Sequence, residues 1–160
     1  LAFAGSNEQP YQSVGRWLLD RGLIRDASWP GIKAWIVSTQ QSNPRLVQEM
    51  LWSNPRYVFF REEVRSAAEA DLGPRGAQGV PLTSGRSIAV DKDSIPYGTP
   101  VWLASAGPNA NLQRLVFAQD TGSAIVGAVR ADYFAGTGPE AGDFAGRMKQ
   151  GLRLWVLWPK

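Results

Sequence analysis

The chain has no cysteine and no histidine. No disulfide framework can form, so cysteine usage gives no reading of redox compartment. Thiolate and imidazole metal sites are excluded, as are Cys–His and Ser–His–Asp catalysis. Chemistry in this chain must come from carboxylates, lysine, tyrosine, hydroxyls or backbone amides. No apolar run approaches the ~18 residues that cross a bilayer, and no secretory leader pattern is visible. Charged residues are sparse at 19%, far from a disordered polyelectrolyte. The net charge of +3 and pI near 9.5 favour an acidic partner without naming one. The basic residues are scattered, which reads as a solvated surface, and no nucleic-acid partner is expected.

The chain does have apolar material: 44% of its 160 residues are hydrophobic and seven are Trp. That is enough to bury a core in one domain, or in one domain with a helical appendage. Residues 11 to about 55 read as helical. Ser13 can cap a helix with apolar Val14, Trp17 and Leu18, closed by Gly22. A second helix follows Ser28 and carries Ile32, Trp35 and Ile36 on one face. Asn43-Pro44 starts a third, with a capping side chain and then proline at the first helical position. Leu46, Val47, Met50 and Leu51 give it an apolar stripe, and Asn54-Pro55 stops it. Core packing is the expected role of these aromatic and aliphatic residues. Leu1 to Gly5 reads as the tail of a strand, expected to pair with polypeptide outside this chain or to be poorly placed.

Residues 57 to 160 read as β, with short strands near Tyr57–Phe60, Ser87–Val90, Pro100–Ala104, Leu115–Gln119 and Leu152–Trp158. Residues 65–78 read as a loop. Gly85, Pro96, Gly98 and Gly107-Pro108 punctuate the rest. Short strands separated by turn signals suggest a small barrel or sandwich.

Three aspartates mark this region. Asp91 ends "GRSIAVD", Asp120 ends the strand in "LVFAQDTGSA", and Asp132 lies in the Gly-rich "GAVRADYFAGTGPEAG". A carboxylate at a strand end can be held rigidly and still face a cleft. Asp is also a common turn residue, and for any one of the three alone the turn reading is favoured. Asp120-Thr-Gly-Ser123 also matches the short signature of aspartic proteases, where two carboxylates share a proton. One copy in a short chain would require a symmetric dimer.

Residues 79 to 158 resemble the three-aspartate domain of bacterial cell-wall proteins through "GVPLTSGRSIAVDKDSIPYGTPVWL", "AQDTGSAIVGAVRADYF" and "GTGPEAGDFAGRMKQGLRLWVL". Upstream, "PYQSVGRWLLDRGLI" and "NPRYVFFRE" extend the likeness. Together the motifs resemble the C-terminal portion of the membrane-bound lytic murein transglycosylase A family. The resemblance implies a mainly β fold, a six-stranded double-psi β-barrel preceded by about three helices. On that basis residues 1–10 are the tail of an inserted domain, 11–56 a helical segment packed on the barrel, and 57–160 the barrel.

The resemblance further implies an outer-membrane lipoprotein of the periplasm that binds peptidoglycan glycan strands. It would cleave the β-1,4 bond between N-acetylmuramic acid and N-acetylglucosamine, leaving a 1,6-anhydromuramic end. The N-terminal and inserted-domain polypeptide of the same protein would be a further partner, and the membrane is reached only through a lipid anchor this chain lacks. No cofactor or metal is implied. The separations of the three Asp match no compact ion-binding loop.

Glycosidic cleavage needs an acid for the leaving oxygen and stabilisation of an oxocarbenium-like transition state. A transglycosylase needs no second carboxylate to activate water, because the substrate's own C6 hydroxyl attacks C1 at high effective molarity. One carboxyl can act as acid and then as base. To be protonated near neutral pH it needs burial or a neighbouring carboxylate. By position in the family motif, Asp132 is the acid/base and Asp120 the adjacent carboxylate that orients the site. Asp91, Tyr97, Trp102, Ser123, Arg130 and Gly136 are the candidate substrate contacts, Asp91 with an architectural alternative and Trp102 and Tyr97 with core packing as one. Gly122, Gly136 and Gly138 would let backbone approach sugar, or simply make turns. A non-enzymatic wall-binding module and a wall-glycan hydrolase on the same barrel are the other readings.

Overall fold

The computed structural model describes residues 1–64, 66 and 72–159. It comprises two units, Leu1–Glu62 and Glu63–Lys160.

Each helix of the first unit begins where a side chain can satisfy an orphan backbone donor. The Ser13 hydroxyl accepts from the Arg16 amide (3.2 Å) at the start of α1, Val14–Asp20. Ser28 does the same for Gly31 (3.3 Å) at α2, Trp29–Gln40. Asn43 accepts from Leu46 (3.1 Å) at α3, Pro44–Trp52. Leu18, Ile32, Val47 and Met50 meet as the buried core of the three helices. Leu51, expected on the α3 stripe, is instead half exposed. α3 closes at the Ser53 cap, and just beyond it the Asn54 Oδ1 accepts from the Gln12 amide (3.1 Å), tying that end to the approach to α1. Replacing the Asn43 cap by Ala leaves the Leu46 amide without its partner. Asn43→Ala should lower stability by about 1 kcal/mol, read as a shifted denaturant midpoint at unchanged m-value.

The same unit holds two strands, β1 (Ala2–Ser6) and β2 (Val58–Arg61), which pair antiparallel, Ala2 opposite Arg61 and Ser6 opposite Val58. Asn7 reinforces the pairing through the Tyr57 amide (2.9 Å) and the Pro55 carbonyl (2.8 Å). The first strand therefore has its partner inside this chain, contrary to the expectation that it would lack one. Residues 57–61, read from the sequence as the start of the barrel, pair with the N-terminal strand instead. An alternating strand pattern identifies a strand but not its partner.

The second unit is built on one sheet. Its strands are β3 (Ser87–Val90), β4 (Pro100–Ala106), β5 (Asn111–Asp120), β6 (Ala131–Tyr133) and β7 (Leu152–Val156), in spatial order β6-β3-β5-β4-β7. All pairings are antiparallel except β3 with β5. Period-2 alternation decides which face is buried. Ile88 and Val90 from β3, Val101 and Leu103 from β4, and Leu112, Val116 and Ala118 from β5 form the core with Ile95. Burying a fully enclosed Ile88 or Val116 contributes roughly 1.5–3 kcal/mol each.

The chain is thus mainly β in its second unit with helices before it. A fourth helix, α4 (Pro139–Arg147), and the short β6 were not foreseen. Among the described residues the sheet has five strands, one fewer than the barrel expected. The expected loop over 65–78 falls partly outside the described residues. Its described part, residues 66 and 72–78, is non-helical, with a single bridge between Arg75 and Pro81 among the described residues. No described helix is long and apolar enough to cross a membrane.

Candidate active site

Strand β3 brings Asp120 and Asp132 together. Its Ala89 is paired on one side with Asp120 of β5 and on the other with Asp132 of β6. Directly paired residues project from the same face of a sheet, so the three side chains form one row, Asp120–Ala89–Asp132. All three line a single cleft of about 400 Å³, together with Thr121, Gly122 and Ser123. The row owes its register to an irregularity. Ile88 pairs with Ala118 and Ala89 with Asp120, so Gln119 is the extra residue of β5. Its side chain turns to the Ser87 hydroxyl, which donates to Gln119 Oε1 at 2.6 Å. Asp132, read from the sequence as lying in a Gly-rich segment, sits at the centre of a strand.

The two carboxylates differ in their support. Asp120 is half-buried, and its Oδ1 accepts from the Ala77 amide at 2.9 Å. Ala77 belongs to a loop laid against the end of β5, where the Gln78 amide donates to the Gln119 carbonyl at 3.1 Å. Asp132 is more open, its side chain 57% exposed, with Arg130 Nε 3.5 Å from its Oδ1. Beside it on β6, Tyr133 also lines the cleft and accepts a 2.9 Å hydrogen bond from Arg114.

The other candidates are distributed differently. Ser123 and Gly122 line the cleft, whereas Asp91, Tyr97, Trp102, Arg130 and Gly136 are not among its lining residues. Arg130 meets the site through Asp132. Trp102 lies in a separate groove of about 610 Å³, paired across β4 and β7 with Trp155. Gly136 has φ +123°, and a Cβ there would come within 2.8 Å of the Ser84 hydroxyl. Its small size is thus demanded by the chain's own packing.

Asp91 holds a loop. Its Oδ2 accepts from the Gly127 amide (2.7 Å) and its Oδ1 from the Asp93 amide (3.0 Å). These two donors, Gly127 foremost, hold its carboxyl below the ordinary value of 3.8. A lowered folded-state pKa stabilises the fold above the unfolded pKa, and that contribution is lost as pH falls through the folded value. Asp91→Asn should therefore lower stability at neutral pH and flatten its fall in acid. Denaturant midpoints measured from pH 2 to 7 should show the two proteins diverging as pH rises toward about 4 and staying a constant distance apart above it.

Two features escaped the sequence reading: Ala89 as the floor between the carboxylates, and the support that the loop around Ala77 gives Asp120. The signal for the second was present in the spacing of Gly73, Gly76 and Gly79. Among the described residues no cluster of three or more Asp and Glu could hold a metal ion.

A mainly β unit carrying two carboxylates in one open cleft has the form of a carboxylate-dependent site. Comparison with known proteins gives the lineage. Residues 86–158 match the model of the 3D domain, and residues 1–61 that of the MltA specific insert domain. The membrane-bound lytic murein transglycosylase A of Vibrio cholerae serotype O1 is 34% identical over 98% of this chain and 42% of its own length. The solved membrane-bound lytic murein transglycosylase of Agrobacterium tumefaciens superposes with a TM-score of 0.85 at 35% identity, over 98% of this chain and 43% of that one. The Escherichia coli enzyme solved with bound chitohexaose gives 0.80 at 33% identity, over 96% and 45%. This chain belongs to the membrane-bound lytic murein transglycosylase A family. It spans 42% of the length of the curated relatives it matches. The insert-domain match covers all three N-terminal helices as well as β1 and β2, whereas the sequence reading gave that domain only residues 1–10.

Proposed function

We propose that this chain carries the carboxylate site of a lytic transglycosylase that cleaves peptidoglycan glycan strands, with Asp132 as the single acid/base. The observation that carries the reading is the row Asp120–Ala89–Asp132 in one cleft. The lytic murein transglycosylases among the relatives, and the one bound to chitohexaose, point to a glycan as the occupant.

In this reading protonated Asp132 donates its proton to the glycosidic oxygen of the β-1,4 bond. The bond from C1 of N-acetylmuramic acid breaks, and the N-acetylglucosamine residue leaves with its 4-hydroxyl restored. The carboxylate then takes the proton of the muramic C6 hydroxyl as O6 bonds to C1, giving the 1,6-anhydro end. No water is consumed and Asp132 is returned protonated. Asp120, with one oxygen committed to the Ala77 amide, orients the site. Ser123 and Gly122 contact sugar from the cleft wall. Arg130 sits beside Asp132, placed to meet a lactyl or peptide carboxylate.

The surrounding fold is read as a double-psi barrel. β5 lies between the consecutive strands β3 and β4, which run antiparallel to each other, and this is one psi crossing. The complete protein would act in the periplasm, held to the outer membrane by a lipid anchor borne outside these residues.

The aspartic-protease reading of Asp120-Thr-Gly-Ser123 needs a second copy to supply the second carboxyl. Here the same chain brings Asp132 to the cleft. The test is product analysis on purified peptidoglycan with the complete enzyme. Products ending in 1,6-anhydromuramic acid support transglycosylation, reducing ends make the enzyme a hydrolase, and binding without turnover makes it a wall-binding module.

A further inference from the structure

We propose that Ala89 sets the width of the catalytic gap, its methyl group forming the floor on which a sugar ring must sit between Asp120 and Asp132. The proposal rests on the reading of the cleft as a glycan site and names a specificity-determining residue within it.

The geometry follows from strand pairing. Neighbouring strands lie about 4.8 Å apart, so the two Asp backbones stand roughly 10 Å apart with β3 between them. The carboxylates project from the outer strands of the trio, and the space between them is bounded below by whatever residue 89 carries. A methyl group leaves that space open. A leucine would stand between the two carboxyls and occupy the position of a sugar.

The core does not require alanine here. Ile88 and Val90, on either side, belong to the buried cluster, Ile88 also reaching the wall of the cleft, whereas Ala89 is half-buried, lines the cleft and is no member of that cluster. A larger side chain at 89 therefore grows into the open cleft without crowding the core. Strand positions also favour β-branched and aliphatic residues over alanine. Stability and strand propensity would tolerate or prefer valine, so the open space above alanine is not a requirement of the fold. That separation of stability from function gives the test its discrimination.

The experiment uses the complete enzyme with Ala89→Ser, Ala89→Val and Ala89→Leu, reading chitohexaose affinity by calorimetry, turnover on purified peptidoglycan, and melting temperature. Serine, the smallest of the three replacements, should change affinity least. Valine should weaken it and leucine weaken it further, by on the order of 10- to 200-fold, the range for misfitting groups in a pocket. Melting temperatures should hold or rise across the series. If Ala89→Leu binds and cleaves as wild type does, the gap is not set at residue 89 and the inference fails while the glycan reading stands. If wild type itself neither binds chitohexaose nor cleaves peptidoglycan, the glycan reading fails and takes this inference with it. If affinity falls only in step with melting temperature, the effect is structural and the inference is overturned; the valine variant decides this should leucine not fold.

Discussion

Asp132→Asn in the complete enzyme is expected to reduce release of 1,6-anhydromuropeptides by on the order of 10²–10⁴-fold while chitohexaose still binds. The amide keeps the size of the carboxyl but cannot donate a proton of suitable acidity or take one back. One group serving both steps places the loss at the upper end of that range or beyond it. The fold should not suffer, since Asp132 is exposed and its contact with Arg130, at 3.5 Å, is a surface pair worth little. Asp120→Asn should cost less turnover. The Asn Oδ1 can still accept from the Ala77 amide, so position survives and only charge is removed. A dead Asp120→Asn beside a near-normal Asp132→Asn would reverse the two roles. Full activity in both would remove carboxylate catalysis from the cleft.

The sequence made some of this legible because certain signals are local. The three helix starts needed only a capping side chain ahead of an apolar stripe, and Ser13, Ser28 and Asn43 each accept the amide three residues on. The strands β3, β4, β5 and β7 were readable from alternation closed by Gly and Pro. What could not be read was pairing. Nothing in Tyr57–Phe60 says that its partner lies more than fifty residues upstream, and a three-residue strand such as β6 is too short to show a period. For the site, the two aspartates were singled out through motif likeness, but the reason they meet is a register. The extra residue Gln119 sets Asp120 opposite Ala89, and that arrangement exists only once the strands have paired. Trp102 was an attractive sugar platform by residue type, yet strand order puts it beside Trp155, outside the carboxylate cleft. Residue type suggests chemistry; topology decides which chemistries share a space.

The support of Asp120 yields the second large effect, at Gly76. A Cβ at residue 76 would run into the Gln119 carbonyl oxygen and lie 2.7 Å from the Leu82 side chain. Leu82 can give way, but the Gln119 carbonyl is sheet backbone and also accepts from the Gln78 amide at 3.1 Å, so the loop must move instead. Such overpacking costs about 1–3 kcal/mol. The displaced stretch includes Ala77, whose amide holds Asp120. Gly76→Ala should therefore lower both stability and turnover. A shift of the order of 1 Å in a positioning group is enough for a loss of up to about 10²-fold. The loss should fall on kcat more than on chitohexaose affinity, because Asp120 orients the site while the cleft walls around Ser123 are untouched. Gly79→Ala is the matched control. Residue 79 lies in the same loop with open space around its Cα, and its φ of +85° adds strain without a clash against β5. Both variants should lose stability, but only Gly76→Ala should lose turnover at temperatures where both remain folded. Equal turnover in the two would show that the Ala77 amide does not position Asp120 for the reaction.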